Sequence, residues 1–450
     1  MSHKTVTLPH QPLTQGHWAM GYDNITAEED VRRWLSTLGF GDDHRLHVRF
    51  VAHHIAHAWS GLAFVPGSLR RRRIGVLVLD GSGESTSGAA YLLDQTLSCL
   101  WHVPQSSSVG LYYEAATHYL GFSWGEEGKT MGLAAYGREL DLKMPLLADE
   151  RLAAPPGDWI TSSESPVERH ARFRHDLVLE LQRFHGQQLT FNQRADIALA
   201  AQQQAAMRVM AYVGELITKV DGLVLSGGVA LNCAINATVA AQCRANGVEL
   251  VIPPPASDTG VALGAAVAAV EDPLTIKPIT EPFLGINYPP HKVIDDLRAR
   301  GATVKHSSSE EIASLLAEES LVLGWFEGRS EIGPRALGKR SIIARPDSAK
   351  IRDRINFLKS RESWRPLAPS LTTAEFSCSF GNSVPSRYML INATNCANQE
   401  SLKGVIHVDG TSRPQVVTEA GPYRALLSAI GVLTGCEAII CTSFNMAGGK

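Results

Sequence analysis

Two apolar segments that each break at closely spaced glycines constrain the fold of this chain more than any other feature. The first, residues 74–85 (IGVLVLDGSGES), is rich in β-branched residues and is followed by a second strand-like piece, GAAYLLD. The second, residues 221–243, has the pattern of a buried strand, a Ser-Gly-Gly turn and a helix. Apolar runs of this length bounded by glycine are typical of strands. The sequence therefore predicts an α/β fold, with a hairpin at the first segment and a strand–turn–helix unit at the second.

The glycines at these two turns are candidate phosphate-binding positions. Gly227 and Gly228 precede a predicted helix, and Gly81 and Gly83 lie at the tip of the predicted hairpin. A helix that begins at glycine presents free N–H groups, and no Cβ blocks a bound phosphate. Many α/β proteins carry glycine at such turns for other reasons, so a nucleotide site and an ordinary turn both stay open from these residues alone.

Three histidines lie within the segment VAHHIAHAWSG at residues 51–61. On a helix, His53 and His57 share one face because they are four residues apart, whereas His54 points away from that face. Two imidazoles on one face form part of a site for a divalent transition metal. Asp258, in a loop before a Gly/Ala-rich helix, is a candidate third ligand. The alternatives are histidines that only bond to solvent or to helix-end carbonyls, and an Asp258 that simply caps a helix.

The spacing of proline indicates where the chain divides. Residues 271–290 (EDPLTIKPITEPFLGINYPP) have no helical or strand period, which is typical of a linker or a surface crossing. We therefore expect one domain over residues 1–272, a linker over 273–300 and a second domain over 301–450. In the first domain, the alanine-rich residues 191–217 predict a long packed helix, whereas the N-terminal segment around His10 and His17 shows no strand pattern. The second domain resumes with a capped helix in SSSEEIASLLAEES.

The second half of the chain supplies cations at loop-like positions. Guanidinium groups bind phosphate through two parallel hydrogen bonds, and lysine adds a mobile positive charge. Ser443 and Asn445, in the segment TSFN, can donate hydrogen bonds to a phosphate oxygen. The basic residues at 350, 352 and 354 are interpreted as a solvated helix face. The candidate anion-binding cations are Arg335, Lys339, Lys359, Arg361, Arg365 and Arg413.

Composition excludes several classes of function. The formal net charge of -3 argues against a broad nucleic-acid surface, which needs an excess of basic residues. The seven cysteines occur singly, with no CxxC pair, so we expect a reducing compartment, no disulfide framework and no structural zinc. No export signal or long apolar span is present. These observations predict a cytoplasmic protein without a nucleic-acid or membrane partner and leave its oligomeric state open.

An ordered set of motifs resembles the O-carbamoyltransferase family. The motifs are HHIAHA, LDGSGE, GKTMGLAAYG, LSGGVALN and SDTGVALGAA, followed by GPRALGKRSI, FLKSRESWRPLAPS, HVDGTSRPQVV and CTSFN. That family includes enzymes that carbamoylate Nod factors, cephalosporins, aminoglycosides and ansamycin macrolides. The resemblance implies a first domain with the actin/hexokinase-type (ASKHA) fold, similar to the tRNA threonylcarbamoyladenosine transferase. It also implies a second, α/β domain of the YrdC-like type.

The resemblance also implies a two-step reaction. Carbamoyl phosphate and ATP would form carbamoyl adenylate in the second domain, and the first domain would move the carbamoyl group to a hydroxyl of a small-molecule natural product. We expect one divalent metal, Fe(II) in the cell, at His53, His57 and Asp258, with Mg²⁺ as a further ion accompanying ATP. The predicted catalytic residues are His54, as the base, Arg335 and Lys359. The predicted nucleotide-binding residues are Asp80, Gly81, Gly83, Lys129, Gly227, Gly228, Asn232, Lys339, Arg361, Arg365, Arg413, Ser443 and Asn445.

Two other functions stay open from the sequence. A tRNA threonylcarbamoyl transferase would be a single-domain chain with a basic tRNA-binding face, and neither feature is predicted here. A non-catalytic nucleotide-binding relative is the second alternative, and for His54 a purely structural hydrogen bond is the alternative to a base. The sequence carries no pattern that identifies the acceptor.

Overall fold

The chain has a mixed α/β fold with two five-stranded sheets. The structure is a computed structural model that describes residues 5–9, 33, 35–37, 47–154, 166–318, 321–396 and 400–445. Its contacts divide the chain into two compact units, Met1–Thr280 and Glu281–Lys450. The division falls within the segment 273–300 for which the sequence predicts a linker.

The first unit is organised around a sheet with the strand order β5-β4-β3-β6-β7. Strand β3 is central: it pairs antiparallel with β4 and parallel with β6. All six residues of β3 are buried, as expected for an apolar run covered on both faces. The strands of this unit are β1 (Thr5–Pro9), β2 (His47–Val51), β3 (Ile74–Leu79), β4 (Thr86–Asp94), β5 (Thr96–Pro104), β6 (Gly222–Ser226) and β7 (Glu249–Val251).

The helices of the first unit confirm the helical predictions made for it. The histidine segment is helical, and the alanine-rich residues 191–217 form one helix that begins at a capping box of Thr190 and Gln193. The predicted hairpin is β3–β4, and the predicted strand–turn–helix unit is β6 followed by α6. The helices are α1 (His53–Leu62), α2 (Val109–Tyr119), α3 (Glu127–Ala134), α4 (Pro166–His185), α5 (Phe191–Ile217), α6 (Cys233–Ala245) and α7 (Val261–Ala268).

Strand β1 is an element that no pattern in the sequence predicts. Thr5–Pro9 pairs in parallel with His47–Val51, so a segment described as lacking a strand pattern forms an edge of a two-stranded sheet. The strand is only five residues long, and its partner lies some forty positions away, so no local signal marks it. His10 and His17 lie outside the described residues.

Helix α1 is held in place by close approaches on two sides. A Cβ at Gly264, in α7, would overlap the carbonyl oxygen of Ala56, so α1 and α7 pack with their backbones almost in contact. On the opposite side, Gly61 packs against Val224 of β6. Glycine permits both approaches because it has no side chain. The histidines of α1 are thereby fixed relative to both the sheet and the loop that precedes α7.

The second unit contains a sheet with the strand order β13-β10-β14-β9-β8 and a separate β11–β12 pair. The predicted capped helix is present, with a capping box of Ser308 and Glu311, and the segment LVLGWFEG contains β8. The strands are β8 (Leu323–Phe326), β9 (Arg340–Ala344), β10 (Ala368–Leu371), β11 (Ala393–Thr394), β12 (Thr411–Ser412), β13 (Gln415–Val416) and β14 (Ala438–Ser443). The helices are α8 (Pro290–Ala299), α9 (Ser309–Ala317), α10 (Ala349–Leu358), α11 (Thr373–Phe380) and α12 (Pro422–Thr434).

The segment 273–300 contains a helix rather than only irregular chain. Helix α8 begins with Pro290 in its first turn, where proline's fixed φ and missing N–H are tolerated. None of its described residues is buried, so it adds little to the core. In the described ranges, no helix combines the length and apolar character needed to cross a membrane. All seven cysteines are free thiols.

We predict that Gly264→Ala destabilises the first unit, because the added methyl group must push α1 away from α7. Overpacking of this kind costs about 1–3 kcal/mol. Gly214→Ala is the matched control: Gly214 also lies in a helix, but a Cβ there meets nothing within 4 Å, so we expect a gain of about 0.4–1 kcal/mol. Thermal unfolding of both variants measures the difference, and equal shifts would contradict this packing of α1 on α7.

Candidate functional site

Four side chains in the first unit meet at one point. His53 and His57 project from α1, Asp80 follows β3, and Asp258 lies in the turn before α7. Each offers one ligand atom, and these four atoms lie within 4.8 Å of one another. The two histidines are buried, whereas the Asp258 side chain is 76% exposed. The cluster is therefore a buried imidazole pair that opens to solvent on the Asp258 side.

The separations between ligand atoms fit a metal ion. The Nε2 atoms of His53 and His57 are 3.1 Å apart; Asp80 Oδ2 lies 3.1 and 2.9 Å from them, and Asp258 Oδ1 lies 3.4 and 3.3 Å away. Ligands bonded at about 2.1 Å are about 3.0 Å apart in an octahedron and about 3.4 Å apart in a tetrahedron. Imidazole nitrogens combined with carboxylate oxygens suit divalent transition ions. The residues present therefore fit such an ion.

Asp80 joins this cluster to both glycine turns. Its Oδ2 atom faces the two histidines, while its Oδ1 atom accepts hydrogen bonds from the N–H groups of Gly81 at 2.8 Å and Gly228 at 3.2 Å. The family motifs predict Asp80 as a nucleotide-binding residue, whereas the structure places its carboxylate among the candidate metal ligands. Its position directly after β3 is visible in the sequence, but the helix that faces this strand end is known only from the structure.

The charges in the cluster stabilise one another. Burial alone would lower the pKa of His57, but hydrogen bonds with Asp258 and Asp80 outweigh it and raise the pKa to about 9. Burial alone would raise the pKa of Asp80, but hydrogen bonds with His53 and His57 hold it well below its ordinary value. Two carboxylates thus attract positive charge to this point.

Asp258 does not cap helix α7. The helix begins after Gly260, and no side chain of the described residues accepts a hydrogen bond from its first N–H groups.

His54 lies beside the cluster but outside it. Its Nδ1 atom is 3.1 Å from the Thr86 hydroxyl, and its ring packs under Gly83, where a Cβ would come within 2.9 Å of the imidazole. Burial lowers the pKa of His54 well below its ordinary value. The neighbouring Glu84 accepts the N–H of His53 at 2.8 Å, which satisfies the first free donor of α1. The hairpin tip therefore contacts α1 at Asp80, Gly83 and Glu84.

Two residues predicted to bind the nucleotide make local contacts. Asn232 accepts the N–H of Ile235 as the N-cap of α6 and exchanges hydrogen bonds with Gln202. Lys129 forms an ion pair with Glu126 at 2.8 Å. Gly227 has a φ of 89°, and a Cβ there would overlap the backbone at the end of β3. The backbone conformation at this position therefore requires glycine whether or not a phosphate binds.

Cations of the second unit gather at the C-terminal end of β14. The Lys359 ammonium donates to the Ser443 carbonyl oxygen at 2.5 Å, to its hydroxyl at 3.2 Å and to Asn445 Oδ1 at 2.5 Å. The other members of this cationic cluster are Arg361, Arg365 and Arg413.

These cations repel one another. Burial, followed by repulsion from Arg361 and Arg365, lowers the pKa of Lys359 to about 8, and burial with repulsion from Arg365 and Arg413 lowers that of Arg361. The buried Nε atoms of Arg361 and Arg413 have no hydrogen-bond partner among the described residues. Half-buried, mutually repelling guanidinium groups with unused Nε donors are suited to bind an anion.

Arg335 and Lys339 lie in the loop before β9. The carboxylate of Glu331 organises this loop by accepting the N–H groups of Leu337, Lys339 and Arg340. Lys339 forms an ion pair with Glu327 at 2.9 Å and lies over the ring of Phe283. The structure therefore brings Lys359, Arg361, Arg365, Arg413, Ser443 and Asn445 together, while Lys339 is already paired with a carboxylate.

Comparison with known proteins decides the family. The family model described as Carbamoyltransferase N-terminus matches residues 36–267, and the one described as Carbamoyltransferase C-terminus matches residues 313–450. The chain belongs to the carbamoyltransferase family. The first match contains the cluster of two histidines and two aspartates, and the second contains the whole cationic cluster.

Individual relatives show the same similarity. The nodulation protein NolNO of Sinorhizobium fredii is 31% identical over 88% of this chain, which spans 59% of that protein. NolO of Bradyrhizobium diazoefficiens is 31% identical over 87% of this chain and 72% of its own length. The 3'-hydroxymethylcephem-O-carbamoyltransferase of Amycolatopsis lactamdurans is 34% identical over 50% of this chain and 43% of its own length. Among solved structures, full-length HypF aligns with a TM-score of 0.31 and 14% identity over 52% of this chain and 37% of that one, a similarity too low to support an argument.

The four-residue cluster predicts a stoichiometric divalent ion. We expect about one equivalent of Fe(II) in the wild type reconstituted without oxygen, and a large loss in His57→Ala, because removing one imidazole leaves an incomplete ligand set. His118→Ala is the control, since His118 is an exposed histidine of α2 in the same unit. Metal analysis of the three proteins measures the effect. Equal metal content in the wild type and His57→Ala would contradict the assignment.

The lowered pKa of Lys359 predicts how anion binding depends on pH. The ammonium is charged below pH 8 and loses its proton as the pH rises through 8, so affinity for ATP should fall between pH 7.5 and 9.5. Phosphate groups titrate near pH 6, so ATP itself changes little in this range. The loss of one charge-assisted hydrogen bond weakens binding by about tenfold or more. Calorimetric titration measures it, and Lys359→Met should bind weakly with little pH dependence; identical pH profiles for both proteins would refute the prediction.

Proposed function

We propose that this chain is an ATP-dependent O-carbamoyltransferase. It moves a carbamoyl group from carbamoyl phosphate, through carbamoyl adenylate, to a hydroxyl of a small-molecule natural product. We also propose that the unit Met1–Thr280 has the ASKHA-type fold and that the unit Glu281–Lys450 has the YrdC-like fold. Membership of the carbamoyltransferase family supports the group that is transferred, and the names of two relatives support a small-molecule hydroxyl as the acceptor.

The observation that carries this proposal is the separation of two chemically different clusters into two units. The cationic cluster, with its unused guanidinium donors, suits the phosphates of ATP and carbamoyl phosphate. The cluster of two histidines and two aspartates suits a divalent ion. The cationic cluster would serve the step that activates the carbamoyl group, and the cluster of histidines and aspartates would serve the step that transfers it.

In the activating step, Lys359 and Arg361 are proposed to bind and orient the phosphates. Lys359 is held by Ser443 and Asn445, so its ammonium is already positioned before an anion arrives. Arg365 and Arg413 add charge that offsets the phosphates, and Arg335 is proposed to contact the carbamoyl phosphate. One water cleaves carbamoyl phosphate to carbamate and inorganic phosphate. An oxygen of the carbamate then bonds to the α-phosphorus of ATP as the bond from that phosphorus to pyrophosphate breaks, which gives carbamoyl adenylate and pyrophosphate.

In the transfer step, His53, His57, Asp80 and Asp258 are proposed to hold the metal, and Fe(II) is the proposed native ion. Bound there, the ion would polarise the carbamoyl carbonyl or orient the adenylate phosphate. Asp80 keeps the glycine turns at residues 81 and 228 in register with the histidines. Those turns are proposed to lie beside the nucleotide phosphate because their N–H groups hold Asp80, one of the residues that would hold the ion.

The base role of His54 stays a prediction. Its buried Nε2 atom has no hydrogen-bond partner among the described residues, which supports a functional contact. Its lowered pKa keeps the imidazole neutral but also makes it a weaker base.

Separate assays of the two half-reactions test the proposal. Lys359→Ala and Arg335→Ala should each reduce pyrophosphate release from ATP and carbamoyl phosphate by about 10²-fold or more, because the phosphates lose charge-assisted hydrogen bonds. Transfer from supplied carbamoyl adenylate should survive in both variants and should be lost in His57→Ala. Lys350→Ala, an exposed lysine of α10, is the matched control.

Two outcomes would oppose the proposal. If the wild type releases no pyrophosphate, the chain is not this enzyme, and a non-catalytic nucleotide-binding relative becomes the better interpretation. If Lys359→Ala blocks transfer from supplied adenylate while leaving its formation intact, the division of steps between the units is wrong. Mass spectrometry of a cephem, an aminoglycoside, an ansamycin and a Nod factor incubated with the wild type would identify the acceptor class.

A further inference from the structure

A second hydrogen-bonded chain in the first unit ends at the hairpin tip. The Ser82 hydroxyl lies 3.3 Å from His170 Nδ1, and His170 Nε2 lies 3.1 Å from Glu114 Oε2. The other oxygen of Glu114 accepts a hydrogen bond from Arg174 at 2.7 Å. A hydroxyl, an imidazole and a carboxylate are thus aligned in the order that activates a hydroxyl group in many enzymes.

Three separate elements assemble this chain. Ser82 lies between Gly81 and Gly83 at the hairpin tip, Glu114 projects from α2, and His170 and Arg174 project from α4. The start of α2 is fixed to the same tip, since the Ser108 hydroxyl donates to the Gly81 carbonyl oxygen at 2.7 Å. The tip, α2 and α4 are therefore tied together at Ser82 and Glu114.

The environment of Glu114 keeps its carboxylate ionised. Its side chain is only 8% exposed. Burial alone would raise the pKa of Glu114, but hydrogen bonds with His170 and Arg174 outweigh burial and lower it. An ionised Glu114 accepts the Nε2 proton of His170, which leaves Nδ1 free to accept the Ser82 proton.

The position of Ser82 relates this chain to the transfer site. Ser82 follows Asp80 by two residues, and Asp80 contacts both His53 and His57. On the other side, Gly83 packs on the ring of His54. The relay of Ser82, His170 and Glu114 therefore ends on the same turn that carries a proposed metal ligand.

We propose that Ser82, His170 and Glu114 form the proton relay that activates the acceptor hydroxyl during carbamoyl transfer. This inference rests on the proposed function. Ser82 contacts the acceptor, while His170 and Glu114 are positioning residues that act through it. The acceptor oxygen forms a bond to the carbamoyl carbon as the bond from that carbon to the AMP oxygen breaks. The acceptor proton passes to Ser82 Oγ, the Ser82 proton passes to His170 Nδ1, and the imidazolium, stabilised by Glu114, later returns a proton to solvent.

The test follows two products in the same incubation. The wild type and the variants Ser82→Ala, His170→Asn and Glu114→Gln receive ATP and carbamoyl phosphate, with water and then 3'-hydroxymethylcephem as the acceptor. Pyrophosphate reports adenylate formation, and the AMP released with the cephem beyond that released with water alone reports transfer. We expect unchanged pyrophosphate release and a loss of about 10²–10⁴-fold in AMP release. His175→Asn is the matched control, because His175 is an exposed histidine of the same helix.

Chemical rescue separates a relay from a structural contact. Added imidazole should restore part of the transfer rate of His170→Ala and none of the rate of Glu114→Gln. Absence of pyrophosphate release in the wild type overturns the proposed function and this inference with it. Normal pyrophosphate and normal AMP release in the three relay variants overturns the relay alone. A loss of transfer in His54→Asn, with the His170 variants at the wild-type rate, makes His54 the base and also overturns the relay.

Discussion

The two oxygens of the Asp80 carboxylate connect three separate segments of the first unit, which are the histidine helix and the two glycine turns. One oxygen contacts the imidazoles of His53 and His57, and the other accepts N–H groups from the turns at Gly81 and Gly228. A carboxylate is able to do this because its two oxygens provide about four acceptor sites. The side chain is 15% exposed, so most of its interactions are with protein rather than water. Without this residue the histidine helix, the hairpin tip and the second glycine turn would have no common contact.

The candidate sites of the two units differ in the sign of the charge that each would bind. In the first, aspartates surround imidazoles and create a point that attracts a cation. In the second, a lysine and three arginines repel one another, and Glu362, 3.6 Å from Arg365, offsets part of their charge. Mutually repelling cations that are buried or half-buried destabilise a fold unless an anion joins them. The presence of these four cations side by side therefore favours a role in anion binding over a role in stabilising the fold.

Much of this arrangement could be predicted from sequence because its signals are local. The i, i+4 spacing of His53 and His57 fixes a common face once the segment is helical, and glycine pairs after apolar runs mark both turns. The cations at 359, 361 and 365 lie within seven residues, so their proximity follows from the chain itself. The family motifs then indicate the order of the two halves.

The remaining features depend on contacts between distant segments. Asp80 was assigned to the nucleotide because a carboxylate after a strand does not reveal which helix packs over it. His170 and Glu114 are separated by 56 positions, and strand β1 pairs with a partner far along the chain. Tertiary packing alone brings such residues together, so no pattern within one segment signals them.

Anomalous scattering from crystals grown with Fe(II) under anaerobic conditions tests the account most directly. We predict one strong peak at about 2.0–2.2 Å from His53 Nε2, His57 Nε2, Asp80 Oδ2 and Asp258 Oδ1, the usual bond length for such ligands. In Asp80→Asn crystals the peak should be weak or absent, while the hairpin tip keeps its contacts through the remaining carbonyl oxygen. A strong peak bound by other residues, or an unchanged peak in Asp80→Asn, would contradict the central role assigned to Asp80.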